Sequence, residues 1–106
     1  MQSEFLQLEF PPRDPGRLAI THVTVVPMDA DRALPDHTVV IKDGLIQAMG
    51  PSSTFDTTDI RIVNGTGQYL MPGLADMYAH YREPAEAPLY LAHGVTCART
   101  SGNRRK

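Results

Sequence analysis

The chain has 106 residues, with 10 Lys and Arg against 12 Asp and Glu, a formal net charge of −2 and a hydrophobic fraction of 42%. A modest core is within reach of that length, burying about 65% of the unfolded surface, whereas a complete (β/α)8 barrel needs roughly 250 residues and is excluded. The acidic balance argues against nucleic acid or an anionic membrane as partner, and the one basic run, Arg104-Arg105-Lys106, reads as a solvated end. Cys97 is the single cysteine, so no internal disulfide and no thiolate metal cluster can form. The first ten residues carry acids where a secretory leader needs bases. No apolar run approaches the ~18 residues of a membrane helix, and a cytoplasmic location is expected.

In chain order, residues 1–17 hold Pro11-Pro12 and Pro15-Gly16, which oppose a helix or a ladder and predict a lead-in arm. Leu18 to Val26 is rich in β-branched residues and predicts a strand closed by Pro27. Met28 to Asp36 is polar and turn-like. His37–Lys42 and Leu45–Met49 then flank Asp43-Gly44, the sequence of a type I′ hairpin, because both central residues need positive φ. Ile60–Val63 alternates before an Asn64-Gly65-Thr66-Gly67 turn, and Gln68–Met71 runs into Pro72-Gly73. Residues 18–71 are therefore expected to form a small antiparallel β unit.

Beyond Pro72 the pattern changes. Gly73–His80 reads as a buried strand ending in polar groups. Ala85–His93 reads as a short helix, with Pro88 tolerated in its first turn and Gly94 as its C-terminal cap. Val95–Ala98 reads as a second strand. Strand, helix and strand in so few residues predict a parallel pair, whose faces and edges such a short chain leaves uncovered.

Four segments in this order carry a resemblance: Val39-Val-Ile-Lys-Asp-Gly-Leu-Ile46, Ile62-Val-Asn-Gly-Thr-Gly67, Leu70-Met-Pro-Gly-Leu-Ala-Asp-Met77, and His93-Gly-Val-Thr96 with Arg99. Residues 17–103 resemble the N-terminal part of the metal-dependent amidohydrolases, of the imidazolonepropionase- and dihydroorotase-like kind. The resemblance implies a mixed α/β fold: a small antiparallel β-sandwich portion at 18–71, then the first β-α-β of an incomplete TIM-type barrel at 72–106. It implies a parent activity too, the hydrolysis of non-peptide C–N bonds in cyclic amides or amidines, with Zn²⁺ lowering the pKa of bound water to about 7. In the family the first barrel strand ends in His-x-His, and residues i and i+2 of a strand share a face, so both imidazoles reach one metal at the barrel mouth.

Here that pattern reads Tyr78-Ala79-His80. His80 stands at a ligand position, and Tyr78 stands where the other histidine is lost; a phenol with pKa near 10 is a poor neutral-pH ligand. Asp76 suits either a carboxylate orienting His80 or local turn chemistry. Arg82, beside Glu83, lies where substrate-contacting loop residues fall in the family, and Arg99 suits an acidic substrate or a partner carboxylate. The family's remaining ligands and its aspartate base lie downstream of residue 106. The expectation is a family fragment without independent catalysis, binding no stoichiometric metal, with a small-molecule substrate only in a complete parent. Two other classes are a non-catalytic β module that self-associates through uncovered edges and an unstable truncated product.

The other chemistry-bearing residues have plainer expectations. His22 and His37 read as structural strand histidines, and His93 suits a helix C-terminus, where it meets the dipole. Cys97, in an apolar run, reads as a small buried hydrophobe. The Asn64–Gly67 turn lacks the strand–loop–helix context of a phosphate cradle.

Overall fold

The computed structural model describes residues 16–80 and 83–100; the expected arm falls outside these except for its last two residues, and Arg82 lies outside them too. Backbone contacts divide the described chain into two units, residues 16–72 and 73–100. The fold is mixed α/β and mostly strand. Among the described residues no helix is long and apolar enough to cross a membrane.

In residues 16–72 the strands are β1 (Arg17–Val25), β2 (Leu34–Lys42), β3 (Leu45–Pro51), β4 (Arg61–Asn64) and β5 (Tyr69–Leu70). They form one sheet in the order β3-β2-β1-β4, with β5 also pairing β1. The β2–β3 hairpin is as expected: Asp43 and Gly44 have φ of 52° and 78°, and Lys42 pairs with Leu45 across a two-residue loop. The sheet is not purely antiparallel, however. β1 runs antiparallel to β2 but parallel to β4 and β5. Parallel strands need a crossover connection, and residues 52–60 supply one without a regular α-helix. A 3-10 turn at Ser52–Thr54 is followed by a turn in which Asp56 Oδ1 accepts the Thr58 N–H at 2.9 Å. A crossover lacking a helical period leaves no mark in the hydrophobic pattern.

A bulge decides which residues of β1 share a face. Ile20 pairs with Val39 and Val23 with His37, so Thr21 and His22 together oppose Thr38 alone. The extra residue shifts the alternation by one, and Ile20, Val23 and Val25 come to one side. There Val23, Val25 and Val39 are buried together, with Ile20, Leu34, Ile41 and Leu70 packed against them. The bulge costs strain, since His22 and Asp36 both adopt positive φ, at 53° and 48°. Side-chain bonds hold it: His22 Nδ1–H donates to Asp36 Oδ1 at 2.7 Å, and the His22 backbone N–H donates to Ser52 Oγ at 3.3 Å. Ser52 Oγ in turn lies 2.9 Å from Thr38 Oγ1, which satisfies a hydroxyl on a residue only 1% exposed.

The turn after β4 locks onto the same strand. Asn64 Oδ1 accepts from the Thr66 N–H and hydroxyl at 3.0 and 2.6 Å. The Gly65 N–H donates to Thr21 O at 2.7 Å. This approach is open to glycine alone, because a Cβ at residue 65 would lie 2.7 Å from Val23 Cβ and 3.1 Å from Thr21 O.

Residues 73–100 hold β6 (Leu74–Ala79), a 3-10 turn at Pro84–Glu86, α1 (Ala87–Ala92) and β7 (Val95–Thr100). β6 and β7 pair in parallel, as expected, from Leu74 with Val95 to Ala79 with Thr100. Pro88 sits in the first turn of α1, and Gly94 closes it with φ of 80°. The Leu74 N–H donates to Gly94 O at 2.8 Å, fastening the start of β6 to the end of the helix. At Gly73 a Cβ would meet Thr96 Oγ1 at 2.1 Å. Two expectations fail here. β6 is largely exposed, with Leu74, Met77 and Tyr78 open to solvent and only Ala79 buried, and Cys97 is exposed as well. The reason is architectural: one six-residue α-helix and one 3-10 turn cannot cover both faces of a parallel pair.

Two outcomes follow from this packing. Gly65→Ala is expected to destabilise residues 16–72 by about 1–3 kcal/mol, since its methyl group forces the backbone off Val23; urea denaturation measures it. The Asp36 carboxyl is held below its ordinary 3.8, first by the His22 hydrogen bond, then by Ser52 and the charges of His22 and His37, against some loss of hydration. A lowered folded pKa stabilises above the unfolded carboxylate value and loses that contribution as pH falls through the folded one. His22→Ala should therefore move the Asp36 titration upward toward its ordinary value and shift the acid limb of unfolding to higher pH, followed by carboxyl carbon NMR.

Candidate functional site

Asp76 and Tyr78 lie on β6 and His80 just past its C-terminal end, at alternate positions of the chain. The Tyr78 and His80 rings lie 5.3 Å apart between centroids at an interplanar angle of 82°, an edge-to-face contact. Asp76 is half-buried, and its Oδ1 accepts the Tyr78 backbone N–H at 3.1 Å. That bond falls at an irregularity in the ladder, where the register shifts between Asp76 and Ala79. Of the two roles open to Asp76, the structure displays the local one: the carboxylate fixes the backbone under Tyr78. Arg99 lies on β7 between Ala98 and Thr100, the partners of Asp76 and Ala79, and it is exposed.

The histidines separate into two kinds. The chain has four, and in three of them Nδ1 is engaged with an oxygen. His22 donates to Asp36, His37 to Pro35 O at 2.8 Å, and His93 to Leu89 O at 2.7 Å. A carbonyl oxygen only accepts, so His37 and His93 each carry a hydrogen on Nδ1. These are structural roles, as the sequence suggests. His80 has no such bond among the described residues; its ring is in edge-to-face contact with that of Tyr78.

A divalent metal at this strand end fits poorly with the donors present. Metal-ligating histidines donate their second ring N–H to a carboxylate or carbonyl, and His80 lacks that partner among the described residues. The neighbouring side chain is a phenol, which is not among the usual Zn²⁺ ligands. Among the described residues no three His, Cys, Asp or Glu side chains converge on a common centre. The sequence did not foretell the His22–Asp36–Ser52 network, which depends on the bulge and brings together residues 30 apart in the chain.

No protein-family model matches the chain. Curated relatives do. An adenine deaminase from Ruegeria pomeroyi is 33% identical over 90 residues, covering 79% of this chain and 15% of the relative. A dihydroorotase from Halalkalibacterium halodurans is 34% identical over 65 residues, covering 60% of this chain and 15% of the relative. Among solved structures, a protein from Bifidobacterium longum assigned as a prolidase superposes with a TM-score of 0.76 at 30% identity, over 83% of this chain and 24% of that one. A molinate hydrolase superposes with a TM-score of 0.70 over 84% of this chain and 24% of that one, at 22% identity, a likeness of fold. The chain spans 15% of the length of the first two relatives. The shared order of segments, the matching backbone and these relatives agree: the chain belongs to the amidohydrolase superfamily.

Proposed function

We propose that this chain is the N-terminal part of an amidohydrolase whose reaction is the hydrolysis of a C–N bond in a small cyclic amide or amidine, and that the chain alone is catalytically silent. The observation that carries the reading is the parallel β6-α1-β7 unit with His80 just past the C-terminal end of β6. In (β/α)8 barrels reactive residues stand at that end of the strands. Residues 72–106 are then the opening of the barrel, and residues 18–71 the family's small β-sandwich portion behind an arm at 1–17. The relatives support the substrate class, being named for adenine and dihydroorotate, both small nitrogen-containing rings.

Amidohydrolases are generally metal-dependent, and zinc is the ion this reading assigns to the complete protein. In this chain the donors do not fit it, so no step of hydrolysis runs through a metal here. His80 keeps a ligand position, Tyr78 marks a lost one, and Asp76 steadies the strand beneath Tyr78. Arg82 and Arg99 are assigned to substrate or partner carboxylates in the complete protein. A cytoplasmic location accords with the lone cysteine, and the negative charge accords with a small-molecule partner over nucleic acid.

A second reading has its own observation. Leu45, Ile46 and Met49 on the edge strand β3, and Leu74, Met77 and Tyr78 on β6, are all exposed, which favours self-association of the isolated chain. Two measurements separate the readings. With Zn²⁺ and either adenine or dihydroorotate, the purified chain is expected to give no turnover above buffer; turnover abolished by His80→Ala would overturn catalytic silence. Light scattering after gel filtration reads the second: a mass above one chain supports self-association, and a monomer over the micromolar range contradicts it.

A further inference from the structure

We infer that two copies of this chain pair through the open apolar face of the sheet in residues 16–72, face to face and with their strands running in opposite directions. The inference rests on self-association of the chain and assigns it to one surface. That face holds a groove of about 340 Å³, lined on β1 and β2 by Ile20, Val25, Val39 and Ile41 and on β3 by Ile46 and Met49, and every residue lining it is apolar. Ile46 and Met49 come to one side because β3 has a bulge of its own. Ile41 pairs with Ile46 and Val40 with Ala48, so Gln47 is the extra residue. Toward β4, Val63 pairs with Ile20 and joins the same face. Ile46, Met49, Val63 and Met71 are all exposed. A sheet with one apolar face is ordinarily covered by a second layer about 10 Å away.

Charge at the two ends of the strands selects a second copy as that layer. Arg17 pairs with Lys42 and Leu18 with Arg61, so three cations gather where β1 and β4 begin and β2 ends. Arg61 stands two residues before Val63, on the groove's side of the sheet, and it lines a recess with Arg17, Leu18 and Ile41. Asp43 in the hairpin turn and Asp59 ahead of β4 reduce this positive charge without cancelling it. At the opposite end, the turn between Val25 and Leu34 carries Asp29, Asp31 and Arg32, and Asp36 follows on β2. Three carboxylates there face one guanidinium, itself paired with Asp29 at 2.6 Å. A two-fold axis across the strands sets each positive end over the other copy's negative end, twice in one contact. An axis along the strands would set like charge over like. The groove between the ends has no charge to desolvate. The face measures roughly 20 Å on a side by strand spacing and rise, small for a permanent interface, so pairing depends on concentration.

Light scattering after gel filtration of the full chain, over the micromolar range, decides the matter. Wild type is expected to rise from the mass of one chain to twice that and no further. Ile46→Asp is expected to weaken pairing roughly tenfold or more, because it buries an unpaired charge in the contact. Arg17→Glu with Arg61→Glu reverses the positive end, and Asp29→Lys with Asp31→Lys reverses the negative end. Either reversal alone is expected to leave the chain monomeric. Mixed in equal amounts, or combined in one chain, the two reversals are expected to restore the doubled mass. All five positions are exposed, and far-ultraviolet circular dichroism verifies that each variant keeps the wild-type strand signal. A wild-type chain that stays monomeric would overturn both self-association and this surface. A pair that survives Ile46→Asp leaves self-association standing and overturns this surface alone; that comparison holds even if a charge variant fails to fold. Reversals that each abolish pairing without rescuing one another would overturn the opposed strand directions. Mass climbing past two chains would contradict a closed two-fold contact.

Discussion

Every strand pairing in residues 16–72 except the β2–β3 hairpin runs through β1, and a bulge at Thr21–His22 decides which side chains of β1 share a face. Without the extra residue, Val23 and Val25 would alternate onto the face of Ala19 and Thr21. With it they join Ile20 and Val39, and the buried cluster closes. The strain of two positive-φ residues is the cost, and the His22–Asp36 and His22–Ser52 bonds offset part of it. An exposed ion pair contributes little by Coulomb attraction alone. Its value here is positional, since it ties the bulge to the start of β2, while the Ser52 bond ties the bulge to the start of the crossover.

Residues 73–100 obey a different constraint. A parallel pair needs a crossover connection, and here it is short: a 3-10 turn and six α-helical residues, with Pro88 in the first turn and Gly94 closing the helix. Such a connection fixes direction and register but covers little surface. Exposed Leu74, Met77, Leu89 and Leu91 are the consequence. Parallel strands are ordinarily covered on both faces, and the part that superposes on this chain is 24% of each of the two solved structures. The site at the end of β6 is built on this open pair, and Asp76 Oδ1 fixes the backbone there by accepting the Tyr78 N–H.

Much of this was legible in the residues. Asp43-Gly44, Asn64–Gly67 and Gly94 announced their turns because positive φ and side-chain-to-backbone bonding are local demands. The strand–helix–strand order after Pro72 was legible for the same reason, through Pro88 and Gly94. What the sequence concealed was non-local. The parallel pairing of β4 with β1 depends on a crossover without helical periodicity, and the bulge depends on contacts between residues 14 to 30 apart. Burial was misjudged at Gly73–His80 and at Cys97, because an apolar strand reads as buried whether or not the layers that would cover it are present. At the candidate site the sequence put Tyr78 and His80 two residues apart, and their rings are in contact. Local sequence left two roles open for Asp76, and the structure displays the bond to the strand's own backbone.

The end of β6 holds a phenol beside an imidazole, with no third donor converging on them among the described residues. The most direct measurement is the metal content of the chain as purified from the cell, without chelators, by mass spectrometry of the elements after gel filtration. The expected result is zinc far below one equivalent per chain. Zinc near one equivalent, lost together with His80, would contradict it and show that Tyr78 and His80 complete a metal site with ligands from a second chain.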